Sequence, residues 1–88
     1  MGKVDAFSLP GCKCWFWSGD HGPPHFHVQN TDEWEVQVYF FEEPARVLVK
    51  WAARHFPAAM ERRLQELAAE HREALWIEWS GKVSMHDE

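Results

Sequence analysis

The chain has 88 residues, and 9 Lys and Arg against 14 Asp and Glu give a net charge of −5 at pH 7 with histidine neutral. This length fits one domain with a small core, and a hydrophobic content of 45% argues against wholesale disorder. No membrane span or secretory signal is expected, and two cysteines cannot build a disulfide framework, so we expect a cytoplasmic protein. The net negative charge argues against direct nucleic-acid binding.

The first half of the chain alternates apolar and polar residues, which predicts antiparallel strands. The four predicted strands are Cys12–Trp17, His25–Asn30, Trp34–Phe41 and Ala45–Trp51. From Pro57 the apolar residues recur at intervals of three and four, which predicts one helix over Pro57–Ser80 with a kink near His71. Gly81 is the predicted helix stop.

We therefore expect one α+β domain over residues 1–88, with the element order β-β-β-β-α. An N-terminal arm (1–11) precedes a four-stranded antiparallel meander (12–51), one long C-terminal helix (57–80) packs on one face of the sheet, and a tail (82–88) frays.

Because one helix covers one face of a sheet, alternate side chains on each strand should point to the core. The predicted core face carries Cys12, Cys14, Phe16, Phe26, Val28, Trp34, Val36, Val38, Phe40, Ala45, Val47, Val49 and Trp51. The uncovered face would then present an aromatic and imidazole surface, formed by Trp15, Trp17, His25, His27, Tyr39 and Phe41. Exposed patches of this kind mark partner-binding or oligomer surfaces, so we predict these six as binding residues.

Six Trp and six His are unusual in so short a chain, and three of the histidines lie close together. His25 and His27 on one strand would place two imidazoles on the same face, with Asp20 and His21 reaching back from the preceding loop. These four residues could bind a divalent transition metal such as zinc or nickel and support hydrolysis through a bound water. Alternatively, the histidines fill an interface with the tryptophans, or the loop only holds the first hairpin.

Cys12-Lys13-Cys14 could complete a Cys2His2 zinc set with the two strand histidines. The face assignment places the thiols opposite the imidazoles, which favours buried cysteines that act as small core residues. Single-stranded nucleic acid would need cations among the surface aromatics, and Lys13 is the one nearby cation that the pattern provides.

The segment Asp20–Val28 reads D-H-G-P-P-H-F-H-V and resembles the signature of small bacterial proteins grouped as domain of unknown function family 4160. The resemblance runs from Cys14 to Trp79 and includes Pro57, although the chain lacks the family's frequent glycines near Glu43 and His55. It implies no established activity. Members are often encoded beside another small protein, in pairs suggested to act as toxin–antitoxin or regulatory modules.

Together these observations predict an interaction or regulatory module with no catalytic residues, which binds a small co-encoded protein or a second copy of itself. The alternative is a metal-binding domain or a metal-dependent hydrolase.

Overall fold

The computed structural model describes residues 2–17, 19 and 22–83. The elements are β1 Gly2–Lys3, β2 Lys13–Phe16, β3 Phe26–Asn30, β4 Trp34–Tyr39, β5 Arg46–Ala52, α1 Ala58–Glu70 and α2 Arg72–Lys82. The strands lie side by side in chain order, and each pairs antiparallel with the next. The predicted α+β class and antiparallel meander are confirmed, but within the described residues the sheet has five strands and two helices follow it. No helix within the described ranges is long and apolar enough to cross a membrane.

The additional strand, β1, lies in the segment predicted to be an arm. Gly2 pairs with Phe16, Lys3 pairs with Trp15, and the Val4 amide donates to the Cys14 carbonyl at 3.0 Å. The ammonium of Lys82, at the end of α2, donates to the Lys3 carbonyl at 2.6 Å. Two residues are too few to show an alternating pattern, and one of the contacts that hold this strand comes from the opposite end of the sequence.

The predicted single helix is interrupted at His71, where the backbone angles are φ −113° and ψ 20°. The His71 amide still donates to the Leu67 carbonyl at 3.0 Å, and the His71 carbonyl accepts from the Leu75 amide at 2.8 Å, so helical hydrogen bonds run up to the break from both sides. The His71 ring packs 5.5 Å from that of Phe7. The second helix continues through Gly81 to Lys82, beyond the predicted stop.

The core lies between the helices and one face of β2, β3 and β4. Its fully buried side chains include Phe16, Phe26, Val28, Val36, Val38, Phe40, Leu64, Leu75 and Trp79. Cys12 and Cys14 pack against this cluster from the same side. The predicted core face of the first three predicted strands is therefore confirmed.

The alternation fails in β5 at a β-bulge. Val36 pairs with Val49 and Glu35 pairs with Trp51, so Lys50 is an extra residue between the two pairs. An extra residue moves the following side chain to the other face of the sheet. The prediction that Trp51 belongs to the core is therefore wrong: its indole N–H donates to Glu35 Oε1 at 3.3 Å, and Ala52 lies opposite Trp34 instead. The prediction for Val49 is also wrong, because Val49 pairs with Val36 on the core face but is 42% exposed.

Candidate functional site: the helix-free face of the sheet

The face of the sheet that the described helices leave uncovered, called the open sheet face below, carries three cross-strand rows of side chains. The middle row runs in register through Lys3, Trp15, His27, Gln37 and Leu48. A second row runs through Lys13, Gln29, Glu35 and Trp51. The third row, at the loop end, contains Trp17, His25, Tyr39 and Arg46.

Five of the six predicted binding residues meet in one cluster on this face. The Trp15 ring stacks on His27 with a centroid distance of 5.3 Å, as the predicted hairpin requires. The Trp17 ring lies edge-on to Trp15 at 6.1 Å. His25 stacks on Tyr39 at 4.8 Å, and the two imidazoles are 5.1 Å apart. Trp15, Trp17, His25, His27 and Tyr39 form what we call the aromatic–imidazole cluster.

The two histidines do not lie exposed on this face, contrary to the sequence-based expectation. His25 is 5% exposed and His27 is 2% exposed. The rings of Trp15, Trp17 and Tyr39 pack against them, and His25, which precedes β3, also lies 5.5 Å from the Trp79 ring of α2. Trp17 remains 45% exposed. The exposed part of the cluster is therefore its tryptophan edge, with the imidazoles beneath it.

Phe41, the sixth predicted binding residue, lies elsewhere. Because β4 ends at Tyr39, the alternation no longer decides where the Phe41 side chain points. Its ring packs 5.3 Å from that of Trp76 on α2, on the helix side of the sheet. The assignment of Phe41 to the same surface as Trp15 and Tyr39 is wrong.

The open sheet face also carries apolar residues that were not predicted as binding residues. Leu48 is 44% exposed and Trp51 is 38% exposed. The alternation of β5 did place Leu48 opposite the core, so its signal was available. Trp51 reaches this face through the bulge at Lys50, for which the sequence pattern gives no sign.

The geometry of His25 bears on the metal hypothesis. Its Nδ1 donates to the Pro23 carbonyl at 2.9 Å, because a carbonyl oxygen can only accept. Metal-ligating histidines commonly donate one ring N–H to a backbone carbonyl in this way. With the proton on Nδ1, Nε2 is the nitrogen that would ligate a metal. Asp20 and His21, the other two predicted ligands, lie outside the described residues. Within the ranges the structure describes, no group of three or more His, Cys, Asp or Glu is arranged to hold a metal ion.

The two thiols are turned away from the imidazoles. Cys14 pairs with Val28, on the helix-covered face, whereas His27 pairs with Trp15 on the other. Burial, with a smaller effect from Cys12, raises the pKa of the Cys14 thiol to about 12, and burial also raises the pKa of Cys12. Both thiols are therefore protonated at neutral pH. The placement of Cys14 and His27 on opposite faces of the sheet is what disfavours a Cys2His2 set.

Comparison with known proteins adds a family match. The model of a family described as Domain of unknown function (DUF4160) matches residues 11–80, from the turn before β2 into the last turns of α2. That span includes the whole aromatic–imidazole cluster. No curated protein and no solved structure matches the chain.

Proposed function

Because the chain belongs to the DUF4160 family, a domain of unknown function, we propose a function from the site itself: the protein is a cytoplasmic interaction module that binds a protein partner through the open sheet face. The partner is a small co-encoded protein or a second copy of the chain, and the interaction is regulatory.

The exposed apolar side chains on a helix-free sheet face carry this proposal. Trp17, Leu48 and Trp51 are 45%, 44% and 38% exposed on a face where polar residues would be expected. Large exposed apolar groups, with Trp among them, are typical of interface anchors. Burial of these groups by a partner would remove them from water.

The surroundings of these anchors resemble the polar rim of an interface. Arg46 pairs with Glu42 at 3.0 Å and lies 4.1 Å from the centroid of the Tyr39 ring, while Lys50 pairs with Glu35 at 3.8 Å. Charges that are already paired within the chain can remain at the edge of a complex without loss of a partner. The stacked rings beneath Trp17 restrict its conformation, which lowers the entropy cost of binding.

Two experiments test the proposal. Calorimetry measures binding of the purified co-encoded protein, and sedimentation equilibrium of the chain alone measures self-association. Trp17→Ser and Leu48→Ser should each lower the association constant, for the co-encoded protein or for a second copy of the chain, by at least about tenfold. A loss of this size is typical of an interface anchor. Trp76→Ser is the matched control, since Trp76 is 42% exposed on the helix side. An equal loss in the control, or no association in either experiment, would refute the assignment to this face.

A second candidate function, metal binding, is favoured by the hydrogen bond that holds His25 Nδ1 on the Pro23 carbonyl. Asp20 and His21 would complete the ligand set. Zinc titration followed by histidine ring NMR signals should then give saturable shifts that His27→Gln abolishes and that His55→Gln, on an exposed histidine, leaves intact. Unchanged ring signals at saturating zinc would dismiss this candidate.

A further inference from the structure

A pocket of about 640 Å³ opens along β2 beside Lys3 of β1, and residues from both faces of the sheet line it. Lys3, Lys13, Trp15, Trp17 and Gln29 line it, together with the two cysteines. This volume lies within the range of small-molecule sites, roughly 300–1,000 Å³. The lining combines two indoles with two lysines.

The charge of the pocket sets it apart from the rest of the chain. In the part of the chain that the structure describes, Lys50 and Lys82 pair with carboxylates, whereas Lys3 and Lys13 have no carboxylate within ion-pair distance. The acid nearest to Lys3 along the chain is Asp5, whose carboxylate is held by Lys82 at 2.8 Å. Lys3 also contributes, more weakly than Lys82, to the lowered pKa of Asp5, so its charge is partly offset. Two cations without an ion pair thus line one pocket of a chain with a net charge of −5.

The other groups in the pocket do not oppose an anion. Because burial raises the pKa of both thiols, Cys12 and Cys14 carry no charge at neutral pH. Gln29 uses its amide N–H to bind the Thr31 carbonyl at 3.2 Å, which holds the side chain against the loop. The two lysines are thus the charged residues among those that line the pocket.

The two indoles provide a surface for a planar ring. The planes of Trp15 and Trp17 meet at 85°, so together they form a corner with one flat wall and one edge-on wall. A planar ligand ring can lie flat against one indole and meet the other at its edge, both of which are favourable aromatic geometries. An anionic substituent on such a ring would lie within reach of the lysines that border the corner.

We propose that this pocket binds a small aromatic carboxylate, with its ring against Trp15 and Trp17 and its carboxylate between Lys3 and Lys13. This ligand site overlaps the proposed partner surface at Trp17, whereas Leu48 and Trp51 do not line it. It does not depend on the partner-binding proposal.

Titration of the full chain with indole-3-acetate tests this site, with calorimetry and the indole N–H signals of the tryptophans as readouts. Two probes separate the two contributions, because indole-3-acetamide keeps the ring without the charge and acetate keeps the charge without the ring. Indole-3-acetate should bind saturably in the millimolar range or tighter, and both comparison probes should bind at least about tenfold more weakly. Its affinity should also fall with added salt.

Lys3→Gln and Lys13→Gln should each weaken indole-3-acetate binding severalfold. Each should also reduce the dependence of the affinity on salt concentration. Lys50→Gln is the matched control, since Lys50 lies on β5 and pairs with Glu35. Equal affinity for indole-3-acetamide, or an equal loss in Lys50→Gln, would overturn the proposal, as would the absence of saturable binding. A nucleoside monophosphate that bound tenfold more tightly than indole-3-acetate would also overturn the assignment to a carboxylate.

Discussion

Iodoacetamide should modify Cys14 much more slowly than an unhindered thiol, because the thiolate is the reacting form. Burial, with a smaller contribution from Cys12, raises the pKa of Cys14 from the ordinary 9.0 to about 12. At pH 8 a thiol with the ordinary pKa is about 10% thiolate, and Cys14 is about 0.01%, a difference of about 1,000-fold. The greater nucleophilicity of a more basic thiolate, about 20-fold over this range, reduces the expected difference to about 50-fold.

Trypsin cleaves after Lys13 and so places the two cysteines in separate peptides, whose modification mass spectrometry follows over time. In the urea-unfolded chain both cysteines should react at the rate of a small thiol. This control shows that neighbouring residues in the sequence do not themselves slow the reaction. Val28→Ala, a change at the residue opposite Cys14 in register, should accelerate Cys14 and leave Cys12 unchanged. If folded Cys14 reacts within about threefold of a small thiol at pH 8, its burial on the helix-covered face is wrong.

The remaining predictions concern stability. Leu75→Ala should lower the free energy of unfolding by about 3–5 kcal/mol because Leu75 is fully buried, whereas Ile77→Ala, at a side chain 65% exposed, should change it by less than about 0.5 kcal/mol in denaturant titrations. Gly11→Ala should cost about 1 kcal/mol because Gly11 has φ +80°, and Gly19→Ala, where no such angle occurs, should cost less; thermal unfolding measures both. The pKa of Cys14 is higher in the folded chain than in the unfolded chain, so above pH 9 only the unfolded chain loses this proton. The free energy of unfolding should therefore fall faster with rising pH in the wild type than in Cys14→Ala. Equal slopes of unfolding free energy against pH would count against the raised pKa.

The regular part of the sheet could be predicted from the sequence because its side chains alternate without interruption between the buried face and the open face. Trp34, Val36 and Val38 alternate with polar residues and are all buried. Once their face was assigned, antiparallel pairing placed Trp15 beside His27 on the opposite face, as the structure has it. The meeting of the aromatic rings with the imidazoles followed from local pattern alone.

The parts that could not be predicted depend on contacts between distant residues. The bulge at Lys50 depends on how β5 pairs with β4, and nothing in the order Val49-Lys50-Trp51 distinguishes a bulged strand from a regular one. The histidines are buried by rings from three other segments, an outcome that alternation does not address. The Lys3 side of the pocket required β1, which is stabilised by Lys82.

The junction between β1 and the end of α2 has a consequence for how the chain folds. The Asp5 amide donates to Glu78 Oε1 at 2.7 Å, and Lys82 binds both Asp5 and the Lys3 carbonyl, so these contacts join residues 73 to 79 positions apart. Contacts of such long sequence separation carry a large loop-closure entropy and form late in folding. We therefore expect β1 to be the last strand to dock and the first to open, and the amide proton of Val4 to exchange with solvent well before those of β3 and β4.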